Sequence, residues 1–118
     1  VHPSAFVDVS SKIGDGVFIY PHCVVDQRVN LEYGVRLGNN VTISHDSKIG
    51  SCSFIAPSVT TSGSVQIGKC CFIGTGTIFK DNITIVANTV IGAGSLIIQS
   101  IYEPGTYVGG PALRKLAK

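Results

Sequence analysis

Residues 43–50, ISHDSKIG, set a histidine beside a carboxylate, His45 and Asp46, between two isoleucines six residues apart. An imidazole, with an ordinary pKa of about 6.5, can take a proton near neutral pH. A neighbouring carboxylate fixes its tautomer and stabilises the imidazolium that forms. Eighteen residues further on stands Gly63, where a missing side chain lets substrate approach a backbone N–H. A base, a supporting carboxylate and a donor aimed at a tetrahedral oxyanion are the parts of an acyl transfer. One such donor can be worth about 3 kcal/mol. No residue stands out as an acyl-enzyme nucleophile, so the expected chemistry is direct transfer in a ternary complex. Blander readings exist. His45 can be an ordinary surface histidine, Asp46 a residue capping a turn N–H, and Gly63 a position needing positive φ.

Adjacent residues of a strand point to opposite faces. His45 and Asp46 can therefore cooperate only if the chain turns a corner at them, and the surrounding pattern supplies corners. Counting by sixes from Val1 gives Val7, Ile13, Ile19, Val25, Leu31, Leu37, Ile43, Ile49, Ile55, Thr61, Ile67, Ile73, Phe79, Ile85, Ile91 and Ile97. All but Thr61 are large and apolar. Two residues before each stands a small or β-branched residue, from Ala5 and Ser11 to Thr89 and Ser95, and Gly often follows the large one. A period of six is neither helical nor a plain alternation. It fits a short strand and a tight corner, repeated, with β-branched residues in the strands and Gly, Asn, Asp and Ser at the corners.

Three such sides close a triangle, so the expected fold is all-β: a parallel β-helix of hexapeptide repeats with 18 residues per coil. His45 and Gly63, one coil apart, then stack on the same corner, with Gln27 before them and Asp81 after. The interior column Val7, Val25, Ile43, Thr61, Phe79, Ile97 holds a polar member next to an aromatic one, which conserves interior volume. Thr61 is expected to face inward under the Phe79 ring.

The regular count ends after Ile97. A turn at Pro104-Gly105, a strand near Thr106–Val108, a break at Gly109-Gly110-Pro111 and a short basic helix over 112–118 are expected to cap the open end, as terminal repeats must. The division is thus a β-helix domain over 1–98 and a cap and tail over 99–118. Because the chain opens at Val1 and contains no Met, a leader or a further domain is expected to precede it.

Charged residues make up 14% of the chain and the formal net charge is +2, without the concentrated basic face of a nucleic-acid binder. Mean hydropathy is +0.36, yet no apolar run approaches the roughly 20 residues that cross a bilayer, and no signal peptide opens the chain. Cys23, Cys52, Cys70 and Cys71 form no CxxC and read as thiols of a reducing, cytoplasmic compartment.

The stretch SHDSKIGSCSFIAPSVTTSGSVQIGKCCFIGTG, with GTYVGGPA near the end, resembles the NeuD-type sugar acetyltransferases over essentially the whole chain. These include bacterial nucleotide-amino-sugar N-acetyltransferases and sialic-acid O-acetyltransferases. The resemblance implies a left-handed winding, His45 as general base, Asp46 as its support, and the Gly63 N–H on the acetyl carbonyl of acetyl-CoA. It implies a homotrimer whose coenzyme lies between subunits, touched by Phe54, Thr75, Ala93, Gly110 and Pro111. Arg114 and Lys115 are expected near its phosphates. Two departures stand out: the family often has histidine at Phe54, and its members carry an N-terminal nucleotide-binding domain before the segment matching VHPSAFVD. The acceptor is expected to be the amine or hydroxyl of a sugar, in the first place a nucleotide-linked amino sugar, with no metal. A metal-dependent carbonic anhydrase on the same fold needs three converging histidines, two of them close in sequence, whereas His2, His22 and His45 are widely spaced. The alternative from another class is a non-catalytic β-helix scaffold.

Overall fold

Every hexad of the repeat becomes a two-residue strand followed by a corner. The computed structural model describes residues 1–112. Its first sheet stacks β1 (Phe6–Val7), β4 (Val24–Val25), β7 (Thr42–Ile43), β10 (Thr60–Thr61), β13 (Ile78–Phe79) and β16 (Leu96–Ile97). The second stacks β2 (Lys12–Ile13), β5 (Asn30–Leu31), β8 (Lys48–Ile49), β11 (Gln66–Ile67) and β14 (Thr84–Ile85). The third stacks β3 (Phe18–Ile19), β6 (Arg36–Leu37), β9 (Phe54–Ile55), β12 (Phe72–Ile73), β15 (Val90–Ile91) and β17 (Thr106–Tyr107). All neighbours are parallel, and residues 18 apart are partners through the repeat, as Val25 with Ile43 and Ile67 with Ile85. The result is a parallel β-solenoid of three faces, about 40 Å long and 22 × 21 Å across.

In each strand the first residue faces out and the second fills the prism. Leu31, Ile43, Ile55, Ile73, Ile91 and Ile97 are wholly buried there. Thr61 and Phe79 are both inaccessible and paired in register, so the small polar residue does sit under the large ring. Second corner residues take the left-handed conformation: Asp46 (φ 60°), Ser64 (φ 58°), Asn82 (φ 58°) and Gly76 (φ 74°). That region favours Gly, Asn and Asp. The glycines that follow the large residue serve a different purpose. A Cβ on Gly50 would lie 2.5 Å from the Gly68 carbonyl carbon, so consecutive coils could not close there.

Beyond Ile97 the winding continues with a shortened spacing. Ile101 bridges to Ile85, and β17 pairs with β15 through Val90–Thr106 and Ile91–Tyr107. Ile101, Tyr107 and Ala112 are buried against the last full coil and cover the end of the prism. Ala112 belongs to no helix, and its N–H donates to the Leu96 carbonyl (2.9 Å). The rest of the expected basic helix, with Arg114 and Lys115, lies outside the described residues. Among the described residues no helix is long and apolar enough to cross a membrane.

Candidate functional site

His45 and Asp46 occupy the corner between the first and second sheets, at the turn joining β7 to β8. The turn resolves the problem of strand alternation. Asp46 adopts φ 60°, which swings its side chain back alongside the imidazole. The corner is held from both sides, Asp46 N–H donating to the Gln27 carbonyl (3.0 Å) and Ser64 N–H to the His45 carbonyl (2.9 Å). His45 Nδ1 lies 2.9 Å from Asp46 Oδ2. An ionised carboxylate only accepts, so Nδ1 is the donor here, and in the neutral ring it is Nε2 that keeps a lone pair.

Arg28 stands one coil below Asp46. Its Nε donates to Asp46 Oδ1 (2.7 Å), its Nη2 to Oδ2 (3.1 Å) and its Nη1 to Gln27 Oε1 (3.2 Å). The guanidinium, and then the His45 hydrogen bond, hold the Asp46 carboxyl well below the usual carboxylate range. Asp46 in turn pushes Arg28 up. The group is solvated, with the His45 and Asp46 side chains 53% and 41% exposed, so a substrate can reach it without any part opening. Arg28 escaped the sequence reading. The signal was present in its 18-residue offset from Asp46, the same offset that joins His45 to Gly63.

Gly63 lies on this corner one coil above His45, and the blander reading of it, a position needing positive φ, is excluded. Its φ is not in the left-handed region; Ser64 takes that conformation. What demands glycine is the histidine. A Cβ at residue 63 would lie 2.6 Å from both Cε1 and Nε2 of His45, so the imidazole occupies the space a side chain would fill. The Gly63 carbonyl accepts from Asn82 N–H (3.0 Å), while its own N–H meets no acceptor among the described residues.

The remaining expected contacts gather elsewhere. Thr75 and Ala93 stack on the corner between the third and first sheets, joined by a Gly94 N–H to Thr75 carbonyl bond (2.7 Å). Gly110 and Pro111 reach that same end of the prism, between the Leu96–Gly109 and Ala112–Leu96 bonds (both 2.9 Å). Phe54 projects from the third sheet, its ring 5.5 Å from Phe72, and Arg36 lies 5.8 Å from the Phe18 and Phe54 ring centroids. One chain therefore carries two sets on two different edges, and does not itself unite them. His2 and His22 belong to the second of these edges. Among the described residues no three His, Cys, Asp or Glu side chains come together as a metal site. The four cysteines are free, and burial pushes the Cys23 and Cys71 thiols up.

No protein-family model matches the chain. Solved structures do. The acetyltransferase domain of PglB from Neisseria gonorrhoeae, also solved with acetyl coenzyme A, superposes with a TM-score of 0.95 at 32% identity, over 98% of this chain and 56% of that one. PerB from Caulobacter crescentus, in complex with CoA and GDP-perosamine, gives 0.93 at 26% identity, over 95% and 54%. AntD, an N-acyltransferase from Bacillus cereus, shares the fold at 17% identity, with a TM-score of 0.88 over 99% and 78%. The chain is thus a hexapeptide-repeat parallel β-solenoid, the fold these acetyl- and acyltransferases share. The structures it resembles are acetyl- and acyltransferases, PerB among them a perosamine N-acetyltransferase, and it spans little more than half the length of PglB and PerB.

Proposed function

We propose that this chain is the catalytic part of an acetyl-CoA-dependent sugar N-acetyltransferase, acting on the amine of a nucleotide-linked amino sugar. The observation that carries the reading is the seat of the His45 imidazole on Gly63, its Nδ1 tied to a carboxylate and its Nε2 free. PglB and PerB bind acetyl-CoA or CoA, and PerB a nucleotide-linked amino sugar, which favours this substrate class over a simple alcohol.

The geometry supports the following chemistry. The acceptor amine attacks the thioester carbonyl as His45 Nε2 takes its proton. Imidazolium forms beside ionised Asp46, which Arg28 keeps deprotonated and in place. The Gly63 N–H, without an acceptor of its own, is the donor for the developing oxyanion. Collapse expels the thiolate of coenzyme A, and the imidazolium returns the proton to it. Acetyl leaves sulfur and reaches nitrogen with no covalent enzyme intermediate.

The two separate edges bear on assembly. Thr75, Ala93, Gly110 and Pro111 complete the site only if a neighbouring copy presents that edge to His45, and a homotrimer does so with three equivalent grooves. Acetyl-CoA is then a co-substrate between subunits, no metal takes part, and the enzyme works in the cytoplasm, where the thioester is made. Soaking acetyl-CoA into crystals tests this directly. The thioester carbonyl is expected within hydrogen-bond distance of the Gly63 N–H. Absence of coenzyme binding would favour a scaffold role for the solenoid.

A further inference from the structure

The ladder of the first sheet breaks at one place, and that place adjoins His45. Elsewhere on the prism, from Asp8 to Gly92, the residue after the large interior side chain gives its N–H to the backbone carbonyl one coil on. Asp26 gives to Ile43, Gly50 to Ile67 and Ser62 to Phe79. Ser44 does not. Its N–H goes to the side-chain Oγ1 of Thr61 (3.1 Å), and its own hydroxyl donates to the Thr61 carbonyl (2.6 Å). The register pair between Ile43 and Thr61 is lost with it, and β7 and β10 share only Thr42–Thr60 where the other strand pairs share two.

Thr61 causes the break. It is wholly buried in a column that is otherwise apolar, and no aliphatic side chain there could accept an N–H. Its hydroxyl takes the donor that the carbonyl would receive, and the Ser44 hydroxyl takes the carbonyl instead. Two bonds through side chains replace one through the backbone. They join the segment leading into His45 to the segment leading into Gly63, the two residues whose contact leaves no room for a Cβ.

We infer that Thr61 is a positioning residue, whose exchange of hydrogen bonds with Ser44 sets the seat of the His45 ring over Gly63. The inference rests on His45 as the base, but its test does not. In full-length chain, Thr61→Val keeps the shape and removes the hydroxyl. The Ser44 N–H then returns to the residue 61 carbonyl, so no buried donor is orphaned and thermal stability is expected not to fall. The nuclear Overhauser contact between His45 Hε1 and Gly63 Hα is expected to weaken, and Thr61→Ser to restore it. His45→Ala assigns the signal among three histidines. With acetyl-CoA and GDP-perosamine as probe acceptor, kcat is expected to drop about tenfold in Thr61→Val at unchanged KM for acetyl-CoA, since small misplacements of a base cost this much or more. An unchanged ring contact in Thr61→Val overturns the inference whatever the rate. Should that variant fail to fold, Ser44→Ala removes the second bond without touching core volume and is read the same way. A displaced ring together with full turnover in His45→Ala would keep the positioning and remove the base assignment.

Discussion

Arg28 grips both carboxylate oxygens of Asp46 from one coil below, at 2.7 and 3.1 Å, while His45 shares the second of those oxygens at 2.9 Å. The carboxylate is thus oriented by a rigid fork rather than by the imidazole alone, and the histidine receives an acceptor already in position. Only Arg offers that paired geometry; a Lys ammonium gives a point charge. Arg28→Ala is expected to lower kcat about tenfold through lost orientation, with Arg28→Lys in between, both measured by steady-state transfer from acetyl-CoA.

His45→Ala removes the proposed base. Turnover should fall by about 10²–10⁴-fold, the usual contribution of a positioned base. Binding of acetyl-CoA, measured by calorimetry, should stay close to that of the parent chain. Undiminished turnover would take His45 out of the mechanism.

Gly63→Ala tests the contact that the corner was built around. The backbone accepts alanine, since residue 63 lies outside the left-handed region, and the exposed His45 ring can swing away from the new methyl. Stability in a denaturant titration should therefore change little. The ring cannot swing without leaving its place, so kcat should fall by about 100-fold.

Asp46 should stay ionised far into acid, because Arg28 and then His45 favour its charged form. Its folded pKa lies below the unfolded value of about 3.9, so its contribution to stability is present above that value and is lost as pH falls through the folded pKa. The carboxyl ¹³C shift of Asp46 should show no midpoint between pH 7 and pH 4. In Arg28→Ala the midpoint should rise towards the ordinary value. The acid limb of the rate profile is accordingly not expected to report this carboxylate.

Phe79→Ala empties the largest buried side chain of the first-sheet column, directly over Thr61. A loss of about 3–5 kcal/mol is expected from chemical denaturation. Because each coil touches only its neighbours, the damage should concentrate in the coils around Thr61 and His45, seen as faster amide exchange there than near the first coils.

The amino-acid sequence by itself determined the period and the number of sides of the coil. A six-residue period with one large interior residue per side admits one economical solution, a three-sided coil. From that count alone follow the stacking of His45 on Gly63, the inward Thr61 and the apolar prism. The count was less informative past Ile97, because the chain drops two residues per coil there and yet keeps pairing Ile85 with Ile101 and Val90 with Thr106. Periodicity sees spacing, whereas ladder hydrogen bonds tolerate a shortened corner. The tertiary structure alone decided what each side chain does within its layer. A guanidinium reaching across a coil, a hydroxyl replacing a carbonyl as acceptor, and an imidazole filling the space of an absent Cβ all depend on distances of a few tenths of an ångström between residues 17 or 18 apart. Residue type and spacing define which groups meet, but hydrogen-bond choice is made by local backbone height and rotamer, which exist only once the coils are stacked.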